Sequence, residues 1–347
     1  MLRSMSTRWA LGCSAVFCAM GNALAALPTY RITEIPVPPG WNDCSPTALN
    51  ERGQVLGFLG PRGRDGREQQ QPFIWSAEGG LQLWPTPARD HRLFLEDIND
   101  AGQVVGSDRE QAFIWTSRAG AKPLVDRPLT YATAINERGL VTGFSSDADK
   151  PHAFLWSRAG GMVSIHPPTA TVSFTADVNN LGQAVGQVRN HAGEASAAIL
   201  SRHADPKLLG CLTLSRGGRC SSLAWAINDA GQVVGHSSAD DVHAFFWSEP
   251  TGMVDISADL PTGYFAYGEH INSLGQVVGT QGGPDLDDEP FYWDAENGRH
   301  RLADLIDPAD PLRDADLNAP AGINTRGEIV VSVGGYRMRM FLLTPVR

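Results

Sequence analysis

Ten residues of this 347-residue chain return seven times with small changes. They read ALNERGQVLG at 48–57, DINDAGQVVG at 97–106, AINERGLVTG at 134–143, DVNNLGQAVG at 177–186, AINDAGQVVG at 226–235, HINSLGQVVG at 270–279 and GINTRGEIVV at 322–331. A turn signal spaced at 37–52 residues points to supersecondary units, each too small to bury its own apolar face alone. Repeat three shows what one unit builds. Tyr131 to Ile135 is a short β-prone run, and Asn136-Glu137-Arg138-Gly139 predicts a type I turn closed by a glycine bulge. Asparagine at the first position bonds back to the backbone, and glycine at the fourth takes a positive φ that a Cβ resists. Leu140 to Phe144 is the returning strand, HAFLW is a third, and after RAGG the run MVSI is a fourth.

The same order holds along the chain. Third strands recur as PFIW (72–75), AFIW (112–115), AFLW (153–156), AAIL (197–200), AFFW (244–247), PFYW (290–293) and MFLL (340–343). Fourth strands recur as LQLW, KPLV, MVSI, KLLG, MVDI and HRLADL, but nothing follows MFLL to complete repeat seven. A spare alternating run, YRITEIPV at 30–37, precedes repeat one. One strand short at one end and one over at the other predicts ring closure. The expected fold is therefore all-β: a seven-bladed β-propeller of four-stranded antiparallel blades, the N-terminal strand pairing with the last repeat. An open solenoid is the rival, but its coils are shorter and more regular.

Residues 1–25 read as a signal peptide: Arg3 and Arg8 precede a mostly apolar run that ends at Ala23-Leu24-Ala25. That run is too short for a membrane anchor, and Cys13 stands too early for a lipoprotein site. Residues 26–347 are then expected to form one propeller domain, secreted to the periplasm or beyond. With 28 Lys and Arg against 38 Asp and Glu, the formal charge is −10. That balance argues against nucleic acid or anionic membrane as partner, since both require clustered bases. No second apolar span suggests a membrane crossing. Export permits disulfides, and Cys211 and Cys220 bracket a short glycine-containing loop suited to one, leaving Cys44 over. No cysteine or histidine spacing suits zinc, and no metal or cofactor is expected.

The asparagine–glycine turn, paired with the triplet His152-Ala153-Phe154 and again His243-Ala244-Phe245, resembles the bacterial extracellular repeat family named HAF after that triplet. The resemblance covers essentially all of residues 26–347. Repeats four and seven depart from it, with Ala198 and Leu200 in place of the aromatic pair and Val331 in place of glycine. It implies an exported repeat protein and attaches no enzymatic chemistry.

Seven asparagines at one turn position (Asn50, Asn99, Asn136, Asn179, Asn228, Asn272, Asn324) read as turn geometry. Trp75, Trp115, Trp156, Trp247 and Trp293 read as packing between neighbouring sheets, and His152 and His243 as structural groups at a loop-to-strand junction. Functional residues should break the pattern. Two positions before the asparagine stand Ala48, Asp97, Ala134, Asp177, Ala226, His270 and Gly322, so Asp97, Asp177 and His270 are polar exceptions near the axis, with Glu96 and Glu269 beside two of them. No G-x-S-x-G, H-E-x-x-H or phosphate loop is present. The run Asp285, Asp287, Asp288, Glu289 lacks full calcium-loop spacing and reads as a solvated loop.

In a meander, alternate connections fall at alternate ends. The uniform asparagine–glycine turns share one end, and length and variety collect at the other. That second rim carries Arg62, Arg64, Arg67, Arg89 and Arg92 early in the chain and Asp285, Asp287, Asp288, Asp307, Asp310, Asp314 and Asp316 late in it. The leading expectation is a monomeric, secreted binding module that recognises a protein or glycan through this rim. The alternative is a secreted carbohydrate-active enzyme, a lyase or hydrolase, using Asp97, Asp177, Glu269 and His270 at the channel mouth. A third is a passive envelope-stability protein.

Overall fold

The computed structural model describes residues 26–61, 70–84, 93–108, 111–147, 150–213, 215, 217–334 and 339–346. The expected signal peptide, 1–25, lies outside them. Each repeat builds a four-stranded antiparallel meander. In repeat three the strands are Thr130–Ile135, Val141–Asp147, Lys150–Ser157 and Gly161–Ser164, paired through Tyr131↔Phe144, Phe144↔Ala153 and Phe154↔Ser164. Four sheets hold four strands each, and the meanders of repeats four to six join into one of twelve. Single parallel bridges, Ala195↔Ser221 and Val242↔Phe265, make that joining.

Repeat seven supplies three strands, Leu317–Ile323, Ile329–Val333 and Arg339–Val346. Its fourth is Thr29–Ile35, antiparallel to Arg339–Val346 from Thr29↔Val346 to Ile35↔Met340. A bidentate pair ties the two strands: Arg339 donates from Nε to Glu34 Oε1 at 2.7 Å and from Nη2 to Oε2 at 2.5 Å. Repeat six ends differently from expectation. HRLADL is not one strand: Gly298–Arg301 pairs, and Leu302–Leu305 then turns into a short 3-10 helix. Leu302 and Leu305 thereby reach a core cluster with Tyr30, which an extended strand would hold only on alternate residues.

The second-strand glycine of the repeat has a steric reason. A Cβ at Gly143 would lie 2.0 Å from the Tyr131 carbonyl oxygen and 3.0 Å from the Phe154 ring; at Gly235 the same atoms of Leu223 and Phe245 lie at 2.0 and 2.8 Å. The third-strand phenylalanine packs onto bare backbone there. Phe73, Phe154, Phe245, Phe291 and Phe341 are all 0–1% exposed, each worth about 1.5–3 kcal/mol in transfer from water. The tryptophans two residues later lie further out, and only Trp75 and Trp247 are buried. Repeat seven carries Val331 instead of glycine, opposite Pro320, where its inner strand has a second irregularity between Leu317 and Pro320. Val331 is fully buried in that altered register.

The apolar core is a ring of separate clusters, each drawing on two consecutive repeats. Ala134 and Leu155 of repeat three meet Val178 and Leu200 of repeat four; Ile35, Val330 and Met340 meet Val55, Phe73 and Cys44 of repeat one. Every repeat therefore needs both neighbours to bury its faces. Among the described residues no helix is long and apolar enough to cross a membrane.

Candidate functional site

The inner strands of all seven repeats and their asparagine turns enclose a cavity of about 720 Å³. One hydrogen-bonded ring encircles it. Each turn asparagine donates from Nδ2 to the main-chain carbonyl of the next: Asn50 to Asn99, then Asn136, Asn179, Asn228, Asn272, Asn324 and back to Asn50, at 2.8–3.4 Å. Each Oδ1 meanwhile accepts main-chain N–H groups of its own turn, as Asn136 does from Arg138 and Leu140 at 3.0 and 2.9 Å. The turn glycines sit at φ of 69–79°. Turn geometry is thus half of what these asparagines do; the other half links neighbouring repeats.

Asp97, Asp177 and His270 face the cavity, and each is held by the next repeat. Asp97 accepts from Ile98 N–H at 2.8 Å and from Ile135 N–H at 2.9 Å. Asp177 accepts from Val178 N–H at 2.7 Å and from Ile227 N–H at 2.8 Å. The His270 ring donates to the Pro320 carbonyl. These links run from repeat two to three, four to five and six to seven. The odd repeats carry Ala48, Ala134, Ala226 and Gly322, so large and small residues alternate around a crowded axis. Burial dominates their protonation: it lifts Asp97 to about 7 and Asp177 to about 6, and depresses His270 to about 4.

One position earlier lies a second set. Every inner strand has a register shift between the fourth and second residue before its asparagine, which leaves the residue between them unpaired. Those bulged residues are Thr47, Glu96, Thr133, Ala176, Trp225, Glu269 and Ala321, and all seven line the cavity. Glu269 is half-buried and Glu96 is exposed to the cavity, and partial loss of water raises both to about 7. Glu269 Oε2 accepts from Thr280 Oγ1 at 3.0 Å. Trp225 is 39% exposed, with Nε1 donating to His236 Nδ1 at 3.1 Å and His236 set edge-on to Tyr267. Sequence reasoning found Glu96 and Glu269 but passed over Trp225, whose signal was a lone aromatic at a position otherwise held by Thr, Ala or Glu.

The residues that follow the asparagines are linked from turn to turn at one end of the cavity. Asp100 N–H donates to Glu137, Glu137 N–H to Asn180, Asn180 N–H to Asp229 and Thr325 N–H to Glu51, at 2.7–3.0 Å. Of these turns, Glu51, Glu137, Asn180, Asp229 and Ser273 line the cavity, which therefore reaches the end of the uniform turns.

Of the expected rim, Arg62, Arg64, Arg67, Arg89 and Arg92 lie outside the described residues. Asp285 is exposed just before the strand Leu286–Asp294 and Asp287 and Asp288 are exposed within it, whereas Glu289 takes Gln281 Nε2 at 2.9 Å and Arg301 Nε at 2.7 Å. Asp307 and Asp310 are engaged by their own chain: Asp310, 8% exposed, accepts from Ile32 and Leu312 N–H at 2.8 Å, and Asp307 pairs with Arg31. They fasten the 302–316 segment to the N-terminal strand. Cys211 and Cys220 are disulfide-bonded, and Cys44 is buried beside Ile35 and Met340. Among the described residues no group of three or more His, Cys, Asp or Glu is arranged to hold a metal ion.

No protein-family model matches the chain, and no curated protein is similar to it in sequence. Solved structures are similar in fold. A catalytically inactive virginiamycin B lyase from Staphylococcus aureus with quinupristin aligns over 91% of this chain and 100% of its own at TM-score 0.58 and 10% identity. The β-propeller domain of the Trilobed protease from Pyrococcus furiosus aligns over 88% and 95% at 0.58 and 10%. The extracellular domain of a hybrid two component system from B. thetaiotaomicron aligns over 90% and 39% at 0.57 and 10%. The chain is thus an all-β protein with the fold of a β-propeller, and its neighbours include extracellular domains.

Proposed function

We propose that this chain is an exported, seven-bladed, closed propeller of the HAF repeat type, a binding module whose protein or glycan partner places a group in the axial cavity. Seven asparagine links in one closed circle and the pairing of Thr29–Ile35 with Arg339–Val346 support the blade count and the closure. Export agrees with the Cys211–Cys220 bridge. One observation carries binding over chemistry: both oxygens of Asp97 and of Asp177 are occupied by main-chain N–H groups, and His270 is held by a carbonyl, while about 720 Å³ beside them stays open. Groups spent on scaffolding are poorly placed to move protons. The cavity volume suits a small molecule or a side-chain-sized group.

One observation favours the enzyme reading. Glu96 and Glu269 titrate at about 7, the range useful for general acid–base work. Two assays separate the readings. Glycan-array and envelope-protein capture should be lost in Ala176→Trp, which fills the axis with the side chain that repeat five already carries there, and kept when residues 282–289 are scrambled. Polysaccharide turnover that Glu96→Gln or Glu269→Gln abolishes in a folded variant would replace binding by catalysis.

A further inference from the structure

Of the side chains that line the axial cavity, seven are carboxylic acids and none is lysine or arginine. A ring of like charge is expensive unless something answers it, and protein interiors normally pair such groups. Asp97 and Asp177 are answered by backbone. Glu96 is not: it is exposed to the cavity, among the described residues no donor or cation contacts its carboxylate, and the partial loss of water there raises its pKa to about 7. Glu269 meets a single hydroxyl, from Thr280. The one histidine on the wall, His270, stays neutral above about pH 4 and supplies no positive charge.

The wall also has an aromatic side. Trp225 is 39% exposed inside the cavity although a filler would be buried, and the Nε1 bond to His236 fixes the indole. Phe144 and Phe174, edge to face at 6.5 Å, extend that surface. The order of the asparagine ring puts repeat two three places from repeat five and, counted the other way, three places from repeat six. Glu96 thus enters from the side opposite Trp225 and Glu269.

We infer that the cavity takes an organic cation, a protonated amine on an apolar stem, with the charge between Glu96 and Glu269 and the stem or ammonium against the Trp225 ring. This rests on the binding-module reading and names its ligand chemistry. Cation–π attraction and carboxylates that have no cation of their own on the wall both favour an ammonium, and the apolar walls favour a stem over a bare metal ion. The amine is carried by a free small molecule or by a lysine of a partner chain.

Calorimetry on the purified protein at pH 8 and low salt tests it, with 1-aminopentane and 1,5-diaminopentane as free amines and Nα-acetyl-lysine amide as the chain-borne form. 1-Pentanol and pentanoate are the neutral and anionic controls. At least one amine is expected to bind and neither control. The double variant Glu96→Gln/Glu269→Gln should weaken amine binding by roughly tenfold or more. Trp225→Ala should weaken it several-fold, with Trp225→Phe between, and circular dichroism will report whether each variant is folded. Affinity should rise with pH through about 7 as Glu96, Glu269 and Asp97 ionise beside Asp177, Asp229, Glu51 and Glu137. Binding of the free amines alone assigns a small molecule; equal binding of the lysine amide assigns a partner's side chain. Pentanol binding as well as 1-aminopentane, no amine binding, or full affinity in the folded double variant overturns the inference. If Ala176→Trp still abolishes partner capture in that event, the binding module stands and only its cation chemistry falls.

Discussion

Asn179 shows how much one repeated residue carries. It is 4% exposed, its Oδ1 accepts from Leu181 and Gln183 N–H, and its Nδ2 donates both to Gln183 Oε1 and to the Asn228 carbonyl. Asn179→Ala leaves those partners unsatisfied and should cost about 2–4 kcal/mol in urea unfolding, since a net hydrogen bond contributes about 0.5–1.5 kcal/mol and an unmade buried one costs more. Asn179→Asp keeps the two acceptor contacts but aims a charged acceptor at Gln183 Oε1 and the Asn228 carbonyl, so it should cost at least as much as alanine; a loss well below that of alanine would contradict the assigned donor role. The turn was legible because its hydrogen bonds are local in sequence. The latch to Asn228 was not, because its partner is 49 residues away and only the docking of whole repeats brings it near.

Strands and loops were legible in kind and less so in register. The four-strand order follows from turn residues and alternation, yet a bulge adds a second cavity-lining residue one place before the one that simple alternation puts there. Glu96 and Trp225 are left without strand partners, while Asp97 and Ala226 pair with Val105 and Val234 and line the cavity beside them. The acidic run at 307–316 misled for a related reason: a loop that looks solvated can be fastened, here through Asp310 to Ile32 N–H and Asp307 N–H to Tyr30. The nine-residue separation of Cys211 and Cys220 gives a prediction at this scale. Replacing both by serine should lower stability by roughly 2–3 kcal/mol through the freed loop, measured as a shift in urea midpoint that a reducing agent reproduces in the parent. A variant as stable as the parent would place the loop's order elsewhere.

Around the whole axis the charges act together. Folding raises Glu96, Asp97 and Glu269 to about 7 and Asp177 to about 6, so between about pH 4 and 7 the folded chain holds protons that the unfolded chain has released. Stability from these carboxylates is complete below their unfolded pKa values and is lost as pH rises through the folded ones. His270 works the other way, since its folded value near 4 makes it gain stability as pH rises towards 6.5, but it is one group against four. The urea midpoint should therefore fall from pH 5 to pH 8, and the bound amine should restore part of it at pH 8; a midpoint that rises across that range would mean the axis is better solvated than its walls imply. By itself the sequence determined the repeat, its turns, the four-strand meander and the strand left over at each end, because each depends on neighbours a few residues apart. Only the tertiary structure decided which side chains share the axis. Seven inner strands converge there from positions up to 274 residues apart, and a one-residue bulge in each brings a second, neighbouring residue onto the cavity wall.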